Sequence, residues 1–191
     1  MEAALAYQEK YEKYELINGE VHMMSRPSFE HGDVEVNIAN LFRTYLRGKR
    51  CRALLEPNVR LSDKDQFIPD VVIVCNPEIL NDPWIEGVPD LVVEVLSPST
   101  AKYDKLHKKA LYEKYGVKEY WIVDPYSRTI EIYHPVEGKF ELDDVFVDYR
   151  ARDWENLDEK EKAEAEAHHT IKVSLYEDFM VEVGDVFRDV D

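Results

Sequence analysis

At 191 residues, 45% hydrophobic and 34% charged, the chain is long enough for one sizeable core and shorter than most two-domain chains, so a single domain over 1–191 is expected. No apolar run approaches the roughly 20 residues of a membrane span and the start, Met1 to Tyr14, is polar and acidic; two cysteines, Cys51 and Cys75, are too few for a disulfide framework and lack metal-ligand spacing, which points to a reducing, cytoplasmic compartment. The net charge of -16 argues at first sight against nucleic acid, but Glu141 to Asp191 holds 17 acidic and 6 basic residues, leaving a net of only -5 on the first 140.

In chain order, Asn18-Gly19 between two strand-like runs is a hairpin signal, because a type I′ turn needs positive φ at both positions. That turn sets Ile17 against Glu20 and Leu16 against Val21. Tyr14, Leu16, Val21 and Met23 then share one side, and Glu15, Glu20 and His22 the other. From Phe29 to Leu46 the residues Val34, Ile38, Leu41, Phe42, Tyr45 and Leu46 repeat at helical spacing, with Ser28 placed to cap the start and Gly48 to end it. Arg43, Arg47, Lys49, Arg50 and Arg52 follow, with no acid between Glu35 and Glu56.

Short strands are expected near Arg52 to Leu55 and Val59 to Leu61, with a polar turn at Ser62 to Gln66. The runs Asp70 to Cys75 and Asp90 to Leu96 are β-branched and short enough to be buried central strands, linked by the Pro-rich segment Asn76 to Pro89. A helix from about Thr100 to Tyr115 ends at Gly116, and strands follow at Glu119 to Asp124 and Thr129 to Tyr133, with a turn at Glu137-Gly138. Trp154 to His168 reads as one charged helix with little apolar stripe, an insertion over about 153–168, and a return strand is expected over about 171–187. The order of elements predicts a mixed α/β sheet domain.

Two carboxylates sit oddly in this pattern. Asp70 opens one apolar strand and Glu94 lies inside the other. If the two strands pair antiparallel with Asp70 opposite Glu94, the pairing ends where the apolar runs end, and both carboxylates share a face. Asp70 can be read as a strand opener after Pro69, but an ionised carboxylate within a buried strand is expensive unless it is paired or binds a cation. Carboxylates with a main-chain carbonyl suit Mg²⁺ or Mn²⁺. On the following helix Asp104, Lys108 and Tyr112 recur at i, i+4 and i+8, on one face. Asp104 and Lys108 read either as a surface ion pair or as an acid and an ammonium that stabilises charge on an attacked phosphate or orients water. The basic clusters at Arg43 to Arg52 and Lys102 to Lys118 read either as solvated faces or as a positive surface for phosphates, to which Ser97 to Thr100 at a helix start adds backbone donors.

Tyr14-Glu15-Leu16-Ile17-Asn18-Gly19-Glu20, Ser28 with His31, Pro69-Asp70-Val71-Val72, the run Pro89 to Thr100, Asp104 with Lys108, and Glu119 to Asp124 together resemble the Uma-two family, described as restriction endonucleases and formerly a domain of unknown function, in the PD-(D/E)XK nuclease superfamily. The resemblance spans about 14–133, taken as the core. It implies an α/β (α+β) restriction-endonuclease-like fold, a mixed central sheet flanked by helices with an N-terminal hairpin, and Mg²⁺- or Mn²⁺-dependent hydrolysis of phosphodiester bonds, with DNA the expected partner and a homodimer an open option. It implies that Asp70 and Glu94 are catalytic metal ligands, with the Val95 carbonyl a further ligand. Where many members carry Lys two positions past the second acid, this chain has Leu96, and Lys108 takes the catalytic lysine's place on the next helix. Glu20, His31 and Asp104 take supporting positions, and Glu30 a weaker one. A nuclease-fold binding or regulatory protein that no longer cuts is the alternative, motivated by the charge and by Leu96 in the lysine slot.

Overall fold

The computed structural model describes residues 13–190 apart from 25, 99 and 100. Strands β1 (Tyr14–Ile17) and β2 (Glu20–Met23) form the expected hairpin, with Ile17 opposite Glu20 and Asn18 and Gly19 at φ 54° and 84°. The helix α1 (Phe29–Tyr45) is capped by Ser28. Strands β3 (Arg52–Leu55), β4 (Asn58–Arg60), β5 (Gln66–Phe67) and β6 (Val71–Val74) come next. The Pro-rich connector holds more than a loop: a 3₁₀ turn (Pro77–Ile79) and a small hairpin of β7 (Leu80–Asn81) and β8 (Trp84–Glu86), whose second strand pairs with β4. Then come β9 (Leu91–Val95), a π-helical segment (Tyr103–Lys108) running into α2 (Lys109–Tyr115), and β10 (Glu119–Asp124), β11 (Thr129–Val136) and β12 (Lys139–Val147).

The central sheet has the order β12-β11-β10-β9-β6-β3 and a second sheet the order β2-β1-β5-β4-β8-β7. Strands β6 and β9 pair antiparallel with Val71 opposite Val93 and Ile73 opposite Leu91, the register expected from the ends of the apolar runs. Strand β10 lies parallel to β9, as the intervening helix requires. Every residue of β6 and β9 is buried, which is what continuous β-branched runs at a sheet centre imply. On one face Val71, Ile73, Leu91, Val93 and Trp121 pack under Val34, Ile38 and Phe42 of α1, with Phe179 and Phe187 closing the layer. On the other, Val72, Val74, Val92 and Leu96 meet Leu111 and Tyr112 of α2 and Ile17, Val59, Phe67 and Ile85 of the second sheet. This is the mixed α+β architecture, a central mixed sheet flanked by helices with an N-terminal hairpin, expected from the sequence.

Three expectations are corrected. The charged helix over 153–168 is two helices, α3 (Ala151–Asn156) and α4 (Glu159–Ala167), because Asp158 caps the second in a reciprocal capping box with Glu161. The return segment is a ribbon of β13 (Thr170–Lys172) and β14 (Met180–Glu182) followed by a single-turn α5 (Val183–Val186). Finally, Cys51 and Cys75 are joined by a disulfide. Strands β3 and β6 pair with Arg52 opposite Val74, so the next opposed positions are the two cysteines, with Cα atoms 4.0 Å apart. The pairing removes the premise from which a reducing compartment was read. Among the described residues no helix is long and apolar enough to cross a membrane. The expected helix start at Ser97 to Thr100 lies partly outside the described residues, at 99 and 100.

The crosslink spans 24 residues of sequence, so the chain-entropy model assigns it about 3 kcal/mol. Thiol titration of the native protein should find no free cysteine before reduction and two after, with urea unfolding free energy lower by about that amount in the reduced protein.

Candidate metal and phosphodiester site

The site begins at the β6–β9 pair. Asp70 precedes β6, and its own carbonyl accepts the Glu56 N–H at 2.9 Å. One carboxylate oxygen, Oδ2, accepts the Val95 N–H at 2.6 Å, which ties the acid to the neighbouring strand; the other, Oδ1, lies 3.1 Å from His31 Nε2. His31 sits in the first turn of α1 because Ser28 caps it, the Ser28 hydroxyl accepting the His31 N–H at 3.3 Å. One helical turn further, Glu35 lies on the same face and is buried among Val34, Ile38 and Ala39.

Beside Asp70, the Lys108 ammonium is buried among three carboxylates: Glu15 Oε1 at 3.0 Å, Glu94 Oε2 at 3.2 Å and Asp104 Oδ1 at 3.2 Å. The Tyr112 hydroxyl donates to Glu94 Oε1 at 2.7 Å, and the Tyr120 hydroxyl to the Asp104 carbonyl at 3.1 Å. Glu15 also accepts the Ile68 N–H at 3.0 Å. Asp104, Lys108 and Tyr112 share one face, as their spacing predicts, and that face turns inward. Asp104 and Lys108 stand in the π-helical segment, a departure from α geometry that tends to occur at functional positions.

Charge decides the electrostatics. Glu15, Glu35, Asp70, Glu94 and Asp104 are all buried, against one lysine and one histidine. Burial pushes the Glu94 carboxyl well above its ordinary range; Lys108 pulls it back, and Asp104, Asp70 and Glu15 push it further up. Burial works against the Lys108 charge too, but Glu94, Glu15, Asp104 and Asp70 outweigh it, so the ammonium keeps its proton. Burial, then the charges of Asp70 and Glu56, raise Glu35 to about 8. Burial opposes charge on His31, yet its hydrogen bond to Asp70 and the charges of Asp70, Glu35 and Asp104 leave it above the usual histidine value.

The structure brings Asp70, Glu94, Val95, His31, Asp104 and Lys108 into this neighbourhood and leaves two of the expected residues out. Glu20 is exposed at the hairpin turn, and Glu30, in the first turn of α1, hydrogen-bonds its own backbone and Ser28. The hairpin presents its polar side to the core: Glu15 and Ile17 are buried while Tyr14, Val21 and Met23 are more than half exposed. Glu15 was thus missed as a site residue, although Ile17 on the same side was a sign of which side faces in. Glu35 was missed as well; its signal is the His31–Glu35 spacing of four on an amphipathic helix. Leu96, in the slot where the resemblance leads one to expect a lysine, is a buried apolar residue.

One group among the described residues has the chemistry of a cation site. Single ligand atoms of His31, Glu35 and Asp70 lie within 4.8 Å of one another. His31 Nδ1 and Glu35 Oε1 are buried without a hydrogen-bond partner, the condition a bound cation would relieve. Two carboxylates and an imidazole fit a divalent ion, and the nitrogen tips the choice from Mg²⁺ toward Mn²⁺. Glu94, the expected second ligand, has its oxygens engaged by Lys108 and Tyr112.

Residues 1–160 match the model of the Uma2 family, described as "Putative restriction endonuclease". The chain is 30% identical over 145 residues to the uncharacterised protein slr1290 of Synechocystis sp., a match covering 74% of this chain and 75% of that protein. It is 29% identical over 131 residues to sll1609 of the same organism, covering 65% and 73%. The crystal structure of a "putative nuclease belonging to DUF820" from Anabaena variabilis superposes with a TM-score of 0.70 at 19% identity, over 91% of this chain and 89% of that one. At that identity the likeness is one of fold.

Two outcomes follow from the electrostatics. With its pKa raised from 4.5 to about 8, Glu35 keeps in the native state a proton that the unfolded chain releases, so its contribution to stability falls as pH rises through that window. In EDTA, Glu35→Gln protein should gain on the wild type in urea midpoint between about pH 5 and pH 8 and show no pH-dependent gain below about 4.5. Lys108→Met strands three buried carboxylates and should lower the unfolding free energy by about 3–5 kcal/mol at neutral pH, measured by the same titration.

Proposed function

This chain belongs to the Uma2 family, and from that membership we propose that it is a divalent-metal-dependent nuclease hydrolysing phosphodiester bonds of DNA. The observation that carries the reading is the convergence of five buried carboxylates, one lysine and one histidine on the β6–β9 pair, a charge balance that asks for a cation. Asp70, Glu35 and His31 would hold the ion, with Glu94 near enough for the Asp70 charge to raise its pKa. Bound there, a divalent cation lowers the pKa of water and offsets charge on the scissile phosphate.

The remaining roles belong to the chain's own groups. Lys108 keeps its proton, so it serves as a fixed positive charge beside the phosphate and not as a general base. Tyr112 holds Glu94 by its Oε1 and leaves Lys108 on Oε2, fixing the carboxylate's orientation. The Val95 N–H does the same for Asp70. Glu15 and Asp104 hold the ammonium in place from the hairpin and the π-helical segment, as positioning residues.

Plasmid and single-stranded DNA should be cut in Mn²⁺ or Mg²⁺ and left intact in EDTA. Asp70→Asn and Glu94→Gln should each reduce the rate by at least about 100-fold, and Mn²⁺ should raise the melting temperature of the wild type but not of Asp70→Asn protein. Cutting retained in Asp70→Asn protein would overturn the assignment. A melting shift with Mn²⁺ in a protein that cuts nothing would favour the silent, nucleic-acid-binding reading instead.

A further inference from the structure

A chain with a net charge of -16 keeps one strongly positive corner. Arg43, Arg47, Lys49, Arg50 and Arg52 fall within ten residues, and no acid lies between Glu35 and Glu56. They occupy the end of α1, the turn after it and the first residue of β3, and all five are exposed.

In the other basic run, Lys102 to Lys118, most lysines are engaged by neighbouring groups although only Lys108 is buried. Lys105 pairs with Glu131, Lys108 is buried in the site, and Lys118 pairs with Asp90. Lys109 and Lys114 lie over the rings of Tyr133 and Tyr115. Several cations elsewhere are likewise matched, as in Arg60–Glu86, Arg128–Asp148 and Lys139–Glu113, while ones unmatched among the described residues, such as Lys64, Lys102 and Lys172, are scattered singly along the chain. Against this background the side chains of Arg43, Arg47, Arg50 and Arg52 make no ion pair, hydrogen bond or ring contact among the described residues. Lys49 differs, since it sits 3.1 Å over the Tyr45 ring, whose hydroxyl donates to Asp178.

Four unmatched guanidinium groups in an acidic protein call for an external polyanion, and their planar forks suit phosphate oxygens. Their position says which one. Helix α1 carries His31 and Glu35 at its other end, and twelve residues at 1.5 Å put Arg43 about 18 Å along the axis from His31, the length of roughly five base pairs. Edge strand β3 runs from the same corner to Glu56, whose N–H meets the Asp70 carbonyl. We propose that the α1–β3 corner docks the phosphate backbone of the nucleic acid flanking the bond held at Asp70. The nucleic-acid identity of the polyanion rests on the nuclease reading; the corner's demand for a polyanion does not.

The test is fluorescence anisotropy of the full chain in EDTA with a labelled 20-base-pair DNA duplex, across a KCl series, for the wild type and for the variant carrying Arg43→Gln, Arg47→Gln, Arg50→Gln and Arg52→Gln. A Lys160→Gln, Lys162→Gln variant on α4 is the control. The arginine variant should bind at least about tenfold more weakly at 50 mM KCl, and its slope of log K against log salt should be shallower by up to about 3.6, near 0.9 for each phosphate no longer neutralised. The control should match the wild type. Melting curves confirm folding, and the paired variants Arg43→Gln, Arg47→Gln and Arg50→Gln, Arg52→Gln replace the quadruple if it fails to fold. Equal binding and slope in wild type and arginine variant would overturn the inference, as would absence of duplex binding by the wild type. Tighter, arginine-dependent binding to phosphatidylserine vesicles than to DNA would overturn it in favour of a membrane surface. Loss of binding in the variant of a protein that never cuts would uphold the corner and sink the nuclease reading.

Discussion

A buried ammonium with three carboxylates around it is the constraint on which the molecule turns. Glu15 comes from the hairpin, Glu94 from the centre of the main sheet and Asp104 from the π-helical segment, and all three meet at Lys108 Nζ. Removing any one of these charges from water is expensive, and only the assembled set with its tyrosine and backbone donors offsets that cost. The hairpin, the main sheet and the helix that continues the π-helical segment already share one apolar core cluster and are thereby also tied by charge in one relative arrangement. Fold and candidate site are therefore one object: the hairpin of the second sheet is tied in by the same groups that make up the site.

The same constraint explains which parts could be read from the residues alone. The β6–β9 register was legible because the apolar runs begin and end together, and a one-residue slip would have turned Glu94 to the opposite face. That Asp104, Lys108 and Tyr112 share a face followed from spacing, though not that the face turns inward, and the Ser28 cap followed from its position before an amphipathic run. Glu15 was not legible in this way. Period-two alternation separates a hairpin into two sides but does not say which is buried, and here the apolar side faces out because the buried one must deliver a carboxylate to Lys108. Glu35 was hidden by its type, since a helical glutamate reads as solvated until His31 and Asp70 are found beside it. The disulfide needed the β3–β6 pairing, a long-range fact: two cysteines in a composition say little, while Arg52 opposite Val74 places them face to face.

Charge, too, is organised by place more than by amount. The acidic excess lies mostly after Glu141, on β12 and the segments that follow it, whereas the acids at the site are buried and partly matched. Two basic runs have different fates, one engaged mostly by carboxylates and aromatic rings of the same chain and the other left at an open corner. A net charge averages over such differences and so misstates what any one surface presents.

The lysine stands on a helix and not on the strand that bears Glu94. A strand lysine would share its backbone with the acid and could be separated from it only by opening the sheet. Lys108 instead stands on a π-helical segment followed by a seven-residue helix whose Leu111 and Tyr112 are buried in the core. The distance from the ammonium to Glu94 is therefore set by how two separate elements pack on each other as well as by charge.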